Sequence, residues 1–420
     1  MSNELDVWLD CDLCPPQRLG VLAHDRGQVR FRYEPAWLAQ QDLAFAIDPQ
    51  LNLDAGVFFP KPEAGNFGIF LDSSPDRWGQ TLMRRREALR ARDEGRSART
   101  LYSWDFLLGV QDITRQGALR FCSEDGTPFL ANDALAAPPV TSLAELAEIA
   151  GELTRRDIDD LDRLRRWLAV LVAPGASLGG ARPKANFRDT DGGLWIAKFP
   201  AHEDDRDNGA WEGLVWWLAR QAGIDMPEVK VARLGRAGRP VFSTFCVRRF
   251  DRVAASGRRR FYASAMTLLG KDVSEGTSYL ELAEFLSRRG DPDHLVADLE
   301  QLFRRVAFNV AVGNRDDHLR NHGFILGARG WRLAPAFDVN PNIDRAEHVL
   351  NIDDADNRPD METVLATAPF YRLSPTQAGG IIDQVVAVVT TWASAARRAG
   401  IASADIELMR SAFGAIDGFP

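Results

Sequence analysis

Asn314-Arg315-Asp316-Asp317-His318-Leu319-Arg320-Asn321 is followed by Leu333-Ala-Pro-Ala-Phe337-Asp338-Val339, and this pair of segments decides the reading of the chain. Asp316 and Asn321 stand five apart, and Asp338 lies 17 beyond Asn321. Magnesium takes hard oxygen ligands, and a loop carboxylate can orient a hydroxyl and accept its proton. A carboxylate, an amide and a second carboxylate in this order and spacing are the polar parts of a phosphoryl-transfer site. The plainer alternative is a polar loop with an Asx-turn after a helix. Other parts of the chain decide between the two.

Upstream, Ser177-Leu-Gly179-Gly180-Ala181-Arg182-Pro183-Lys184 sets paired glycines before two cations. The next apolar run, Leu194-Trp-Ile-Ala-Lys198-Phe199, reads as a strand carrying one lysine. Loop amides can cradle phosphate oxygens while a strand lysine pairs with them. A glycine-rich loop alone more often merely turns the chain. Asn208 to Gly223 has helical spacing, with Gly223 as its stop and Glu212 inside it. Glu212 is therefore the candidate partner of Lys198, as in kinases where a helix glutamate holds the strand lysine. Its alternative is an exposed helical glutamate.

With 420 residues, 45% hydrophobic and 26% charged, the chain has the length for two or three domains with real cores. Its net charge of −8 argues against nucleic-acid binding over the whole surface. Arg84-Arg85-Arg86 to Arg99 and Arg258-Arg259-Arg260 are local exceptions, and acids such as Glu87, Asp93 and Glu94 make the first a solvated face. No apolar stretch reads as long enough for a membrane span and no secretory signal is seen, so a cytoplasmic location is expected. Four cysteines do not make a disulfide framework there; Cys11-x-x-Cys14 reads as a turn into Pro15-Pro16.

The fold class expected is α+β, a bilobal protein-kinase-like fold with an additional N-terminal α/β module. The module covers residues 1–135, a lobe with the nucleotide loop 142–252, and a mainly helical lobe with the catalytic loop 253–420. In the module, Leu5–Leu9 and Val29–Tyr33 alternate like paired strands, and Phe67 to Gly79 leads into a helix running through the arginines. Asn132 to Thr141 is the candidate linker, and helical periodicity runs from about Ser142 to Val172. Tyr279–Arg288, Asp298–Val312 and Pro375–Arg398 read as helices.

Taken together, these residues resemble the HipA family, the kinase toxins of bacterial HipBA toxin–antitoxin modules. The resemblance rests on Phe67 to Gly79, Asp105 to Phe121, Ser177 to Lys184, Arg249-Phe-Asp-Arg252, Phe308 to Asn321 and Leu333 to Val339, in that order. It implies an ATP- and magnesium-dependent serine/threonine protein kinase, with Asp316 as general base and Asn321 and Asp338 as metal ligands. It also implies Lys198 on the phosphates, Gly179, Gly180, Ala181, Arg182, Pro183 and Lys184 as the nucleotide loop, and Val247, Arg248 and Arg249 holding adenine through their backbone. His318 and Phe337 would complete the nucleotide site, and Ser177 matches a loop serine that family members autophosphorylate. Family members often carry an acid where Arg248 stands. The partners implied are a HipB-like helix-turn-helix antitoxin, DNA only through it, and a protein substrate such as glutamyl-tRNA synthetase or another aminoacyl-tRNA synthetase; no membrane is implied.

Alternatives are a kinase-like scaffold acting through antitoxin binding and transcriptional autoregulation, and a small-molecule kinase. A zinc hydrolase could use His318 and His322 at i, i+4, but the glutamate of H-E-x-x-H is absent, because Leu319 follows His318.

Overall fold

The computed structural model describes residues 3–40, 43–123, 129–131, 142–154, 182–234 and 242–416. The fold is α+β, in two compact units. One takes Met1–Glu203, Leu234–Arg239 and Cys246–Ala263; the other takes Asp204–Arg233, Pro240–Phe245 and Ser264–Pro420.

The first unit opens with an antiparallel sheet of order β3-β2-β1-β4, made of β1 Asn3–Leu9, β2 Gln17–Asp25, β3 Gln28–Tyr33 and β4 Leu119–Cys122. β1 and β3, expected as a pair, are not neighbours: each pairs with β2, which lies between them. Alternation told which side chains face inward but not which strand lies alongside. Phe70, on the helix Gly68–Asp72, packs against Phe31 and Phe121 of that sheet. A new helix, Arg77–Asp93, then starts at Asp76, whose carboxylate accepts from the Gly79 amide. Its charges are paired: Glu87 of the helix meets Arg96 just beyond its end, and Arg90 meets Glu94.

Strands β5 Lys184–Arg188 and β6 Leu194–Lys198 form a hairpin in the same unit. Ala185 and Phe187 from β5, with Trp195, Ala197 and Phe199, join a core with Trp78, Leu82 and Leu89 of the capped helix. Leu146, Ile149 and Leu153 of the helix Leu143–Leu153 close it. The period of two therefore puts Lys184, Asn186, Ile196 and Lys198 on the opposite face of the hairpin.

The second unit is built on the helix Leu295–Val312, whose last turns are buried all round. Helices Tyr279–Arg289 and Pro375–Val389 pack on it. The stretch Pro375–Arg398 has the length and composition of a membrane span, contrary to expectation. It is two helices, the second being Trp392–Arg398, and the first buries Ala378, Ile382, Val385 and Val389. The break falls at Thr390 and Thr391, whose hydroxyls bond back to the carbonyls of Ala387 and Val388. Helix Asn208–Gln221 is capped by Asp207, and Gly223 follows it at φ 79°.

Candidate active site

Gly313 creates the loop. The helix Leu295–Val312 ends there in the left-handed conformation, φ 64°, and a Cβ would stand 2.2 Å from the Ala412 carbonyl oxygen. Only glycine fits both demands. The chain then runs through Asn314 to the short 3-10 turn Leu319–Asn321 and into a hairpin of Gly323–Gly327 with Gly330–Leu333. That hairpin returns the chain to Phe337 and Asp338.

Side-chain and backbone bonds stitch the two segments together. The Asn314 amide group donates to Asn309 Oδ1 at 3.2 Å, and its oxygen accepts from the Asn340 N–H at 3.2 Å. The Asn342 N–H donates to the Gly313 carbonyl, and the Arg315 guanidinium reaches the carbonyls of Asn342, Arg345 and Ser411. Asp338 itself sits at φ 58°. For a residue with a Cβ this is a sparsely populated, left-handed conformation of the kind found at ligand sites.

The adjacent carboxylates differ completely. Asp316 is exposed, with Arg345 Nε 3.3 Å from its Oδ1. Asp317 is buried and accepts from Tyr279 Oη at 2.6 Å, Asn309 Nδ2 at 2.9 Å and His322 Nε2 at 2.7 Å. Burial alone would raise the Asp317 pKa, but His322 and the Tyr279 hydroxyl outweigh it and hold the carboxyl below its usual value. Burial first, then the Asp317 charge, pushes the Tyr279 phenol well above its own. Sequence reasoning missed this anchor. The signal available was a second carboxylate directly after the first, followed by a histidine five positions on.

Asn321, Asp317, His322 and Asn309 line one small cavity of about 10 Å³ with Phe337 and Val339, which flank Asp338. Asn321 Oδ1 is buried and has no hydrogen-bond partner, and the same is true of His318 Nδ1. A buried amide oxygen without a donor fits the hard-oxygen chemistry of a magnesium ligand. Among the described residues no group of three or more His, Cys, Asp or Glu side chains is placed to hold a metal. Magnesium keeps several waters and needs only one or two protein carboxylates, so the oxygen donors of Asn321 and Asp338 are of the type it takes.

In the first unit, Lys198 is half-buried and stands directly opposite Lys184 across the hairpin. The Lys184 Nζ lies 2.6 Å from Asp76 Oδ2, both side chains buried, and its carbonyl accepts from Trp78 Nε1. Arg182 and Pro183 precede it; Ser177, Gly179, Gly180 and Ala181 lie outside the described residues. The strand Ser243–Arg248 carries Val247 and Arg248. Arg248, where an acid is common, meets Asp191 Oδ2 at 2.7 Å. The Arg249 amide is committed to the Leu194 carbonyl, so hydrogen bonds to an adenine would fall to other backbone groups.

The Arg249 side chain is a rivet. It chelates Asp251 and bonds the carbonyls of Thr114 and Arg115, while Asp251 also accepts from the Gly117 amide and from Arg252. Arg249-Phe-Asp-Arg252 thus clasps the loop 111–117. Glu212 is buried on the second unit's capped helix.

A HipA-like C-terminal domain model matches residues 176–393, a little over half of the chain, and a HipA N-terminal domain model matches 5–100. The serine/threonine-protein kinase toxin HipA of Shewanella oneidensis is 26% identical over 197 residues, 40% of this chain and 43% of that protein. A Haemophilus influenzae relative is 28% identical over 182 residues, 39% of this chain and 52% of its own. The chain thus spans about half the length of the curated relatives it matches. A solved structure of Shewanella oneidensis HipA with HipB and operator DNA has the same fold, with a TM-score of 0.67 at 17% identity, over 98% of this chain and 95% of that one. With a match over both its N-terminal and C-terminal domains, the chain belongs to the HipA family.

Proposed function

We propose that the protein is an ATP- and magnesium-dependent serine/threonine protein kinase acting as the toxin of a toxin–antitoxin module. The observation that carries this reading is the exposed Asp316 on a loop whose next residue, Asp317, is anchored in the core. A carboxylate so presented can accept a proton from a hydroxyl arriving from solvent. Asn321, with its partnerless oxygen, and Asp338 would hold magnesium, which when bound supplies charge to offset the phosphates. Lys198, oriented by Glu212, would contact those phosphates, and the loop from Gly179 would cover them. Backbone groups around Val247 to Arg249 would hold adenine, with His318 and Phe337 completing the pocket.

The target in this reading is a translation component such as an aminoacyl-tRNA synthetase, and transfer to Ser177 in cis restrains the activity by adding negative charge to the phosphate loop. A helix-turn-helix antitoxin is the proposed partner, with DNA reached through it. Support comes from the relative solved with HipB and operator DNA.

The test is transfer of labelled phosphate from ATP to host-lysate proteins with magnesium, by the parent and by Asp316→Asn and Asp338→Ala. Transfer should fall by roughly 10²-fold or more in both variants. ATP with magnesium should raise the melting temperature of Asp316→Asn but not of Asp338→Ala. Parent-like transfer by Asp316→Asn overturns the assignment.

A further inference from the structure

The turn between β1 and β2 holds two thiols that the kinase reading does not use. Cys11 Sγ and Cys14 Sγ are 3.6 Å apart, in contact. The turn is fastened from outside: Arg258 donates to the carbonyls of both Cys11 and Cys14, and the Asp12 amide donates to the Arg259 carbonyl. This clasp keeps the two thiols facing each other across a two-residue gap.

The pair is chemically asymmetric. Cys11 is 1% exposed and Cys14 is 8% exposed, beside the exposed Leu13 and Pro15. Gln17 Nε2 lies 3.3 Å from Cys14 Sγ and donates to it. Cys14 is thus the outer sulfur of the pair, with Gln17 Nε2 on one side and Cys11 Sγ on the other. Burial, and the neighbouring Cys14, push the Cys11 thiol up to about 11. An outer sulfur in contact with a more deeply buried thiol is the arrangement of an attacking and a resolving cysteine.

We propose that Cys11 and Cys14 form an oxidisable dithiol, a modification site where a small disulfide such as oxidised glutathione converts the turn into a closed Cys11–Cys14 loop. The Cys14 thiolate attacks one sulfur of the oxidant; its S–S bond breaks, a glutathione thiolate leaves, and a mixed disulfide remains on Cys14. Cys11, losing its proton to the departing thiolate, attacks Cys14 Sγ and expels the second glutathione. Two protein thiols are oxidised, one glutathione disulfide is reduced to two thiols, and protons balance.

The folded full-length chain, incubated with oxidised glutathione, should be trapped with an alkylating reagent and its peptides sequenced by mass spectrometry. The expected product is an internal Cys11–Cys14 disulfide, with buried Cys122 and Cys246 still alkylated as thiols after denaturation. Cys11→Ser should stop at a stable glutathione adduct on Cys14, and Cys14→Ser should give none on Cys11. Two unreacted thiols in the folded parent, or an adduct on Cys11 in Cys14→Ser, overturns the proposal. Should a serine variant not fold, the parent's time course decides alone: an adduct on Cys14 must precede the internal disulfide.

Discussion

Asp316 and Asp317 are neighbours in sequence and opposites in environment: Asp316 is exposed beside Arg345, while Asp317 is buried beneath Tyr279, Asn309 and His322. In the proposed mechanism Asp316 would serve as the base, and Asp317 fixes where it stands. Replacing Asp316 by Asn should change stability by no more than about 0.5 kcal/mol. It should lower transfer by roughly 10²–10⁴-fold. Replacing Asp317 by Ala strips three buried donors of their acceptor and should cost about 3–5 kcal/mol. Denaturant unfolding and the transfer assay together check this, and a stable Asp317→Ala protein would refute the anchoring role.

His348 gives the second unit an acid-sensitive element. Burial, partly offset by the Asp317 charge, lowers its pKa from the usual 6.5 to about 4. As pH falls the unfolded chain takes up the proton first, so stability is full above about pH 6.5 and declines until about pH 4. The shift corresponds to about 3 kcal/mol at most. His348→Leu should flatten the stability profile between those values, measured by urea unfolding at a series of pH. An unchanged slope in the variant would exclude His348 as its source.

Lys184 and Asp76 form a buried ion pair, and Asp76 also caps the helix Arg77–Asp93. Lys184→Met leaves the cap in place but strands a buried carboxylate, a loss of about 3 kcal/mol. Asp76→Ala loses the pair and about 1 kcal/mol of capping. The double variant should be more stable than the sum of the two losses implies, because neither charge is then left alone. Additive losses would mean that the two side chains do not share an interaction.

How much of this was legible depends on the range of the forces involved. The helix from Asn208 and the one ending at Val312 could be read because apolar spacing and terminal glycines act locally. The break at Thr390 and Thr391 is also local, but it rests on hydroxyl rotamers that an apolar run hides. Asp316, Asn321 and Asp338 were legible as a pattern of residue types. What could not be read were contacts made across the chain: β2 between β1 and β3, Lys184 on Asp76, and Arg249 gripping Thr114 and Arg115. Lys184 reads as part of a phosphate loop because a lysine after glycines has the right charge, and nothing in the sequence names Asp76 as its neighbour. The structure puts that charge against a helix cap more than 100 residues upstream.

Gly313 sets the geometry of the candidate catalytic segment, and its replacement is a direct test of that role. Gly313→Ala must carry a side chain in a left-handed backbone, which costs about 1 kcal/mol or more. The added methyl would also stand 2.2 Å from the Ala412 carbonyl oxygen, a backbone atom that cannot swing aside. The loop would have to move, and with it the Gly313 carbonyl that receives the Asn342 amide and the stitches from Asn314 and Arg315. Asp316 and Asp338 should then lose their fixed relation. The variant is expected to lose transfer activity more than stability predicts, with nucleotide-induced stabilisation reduced as well. Ser411 and Ala412 lie in the C-terminal 3-10 segment, so that segment should also show faster hydrogen exchange. A Gly313→Ala protein with parent-like transfer and unchanged exchange at residues 409–416 would show that the loop does not depend on this cap.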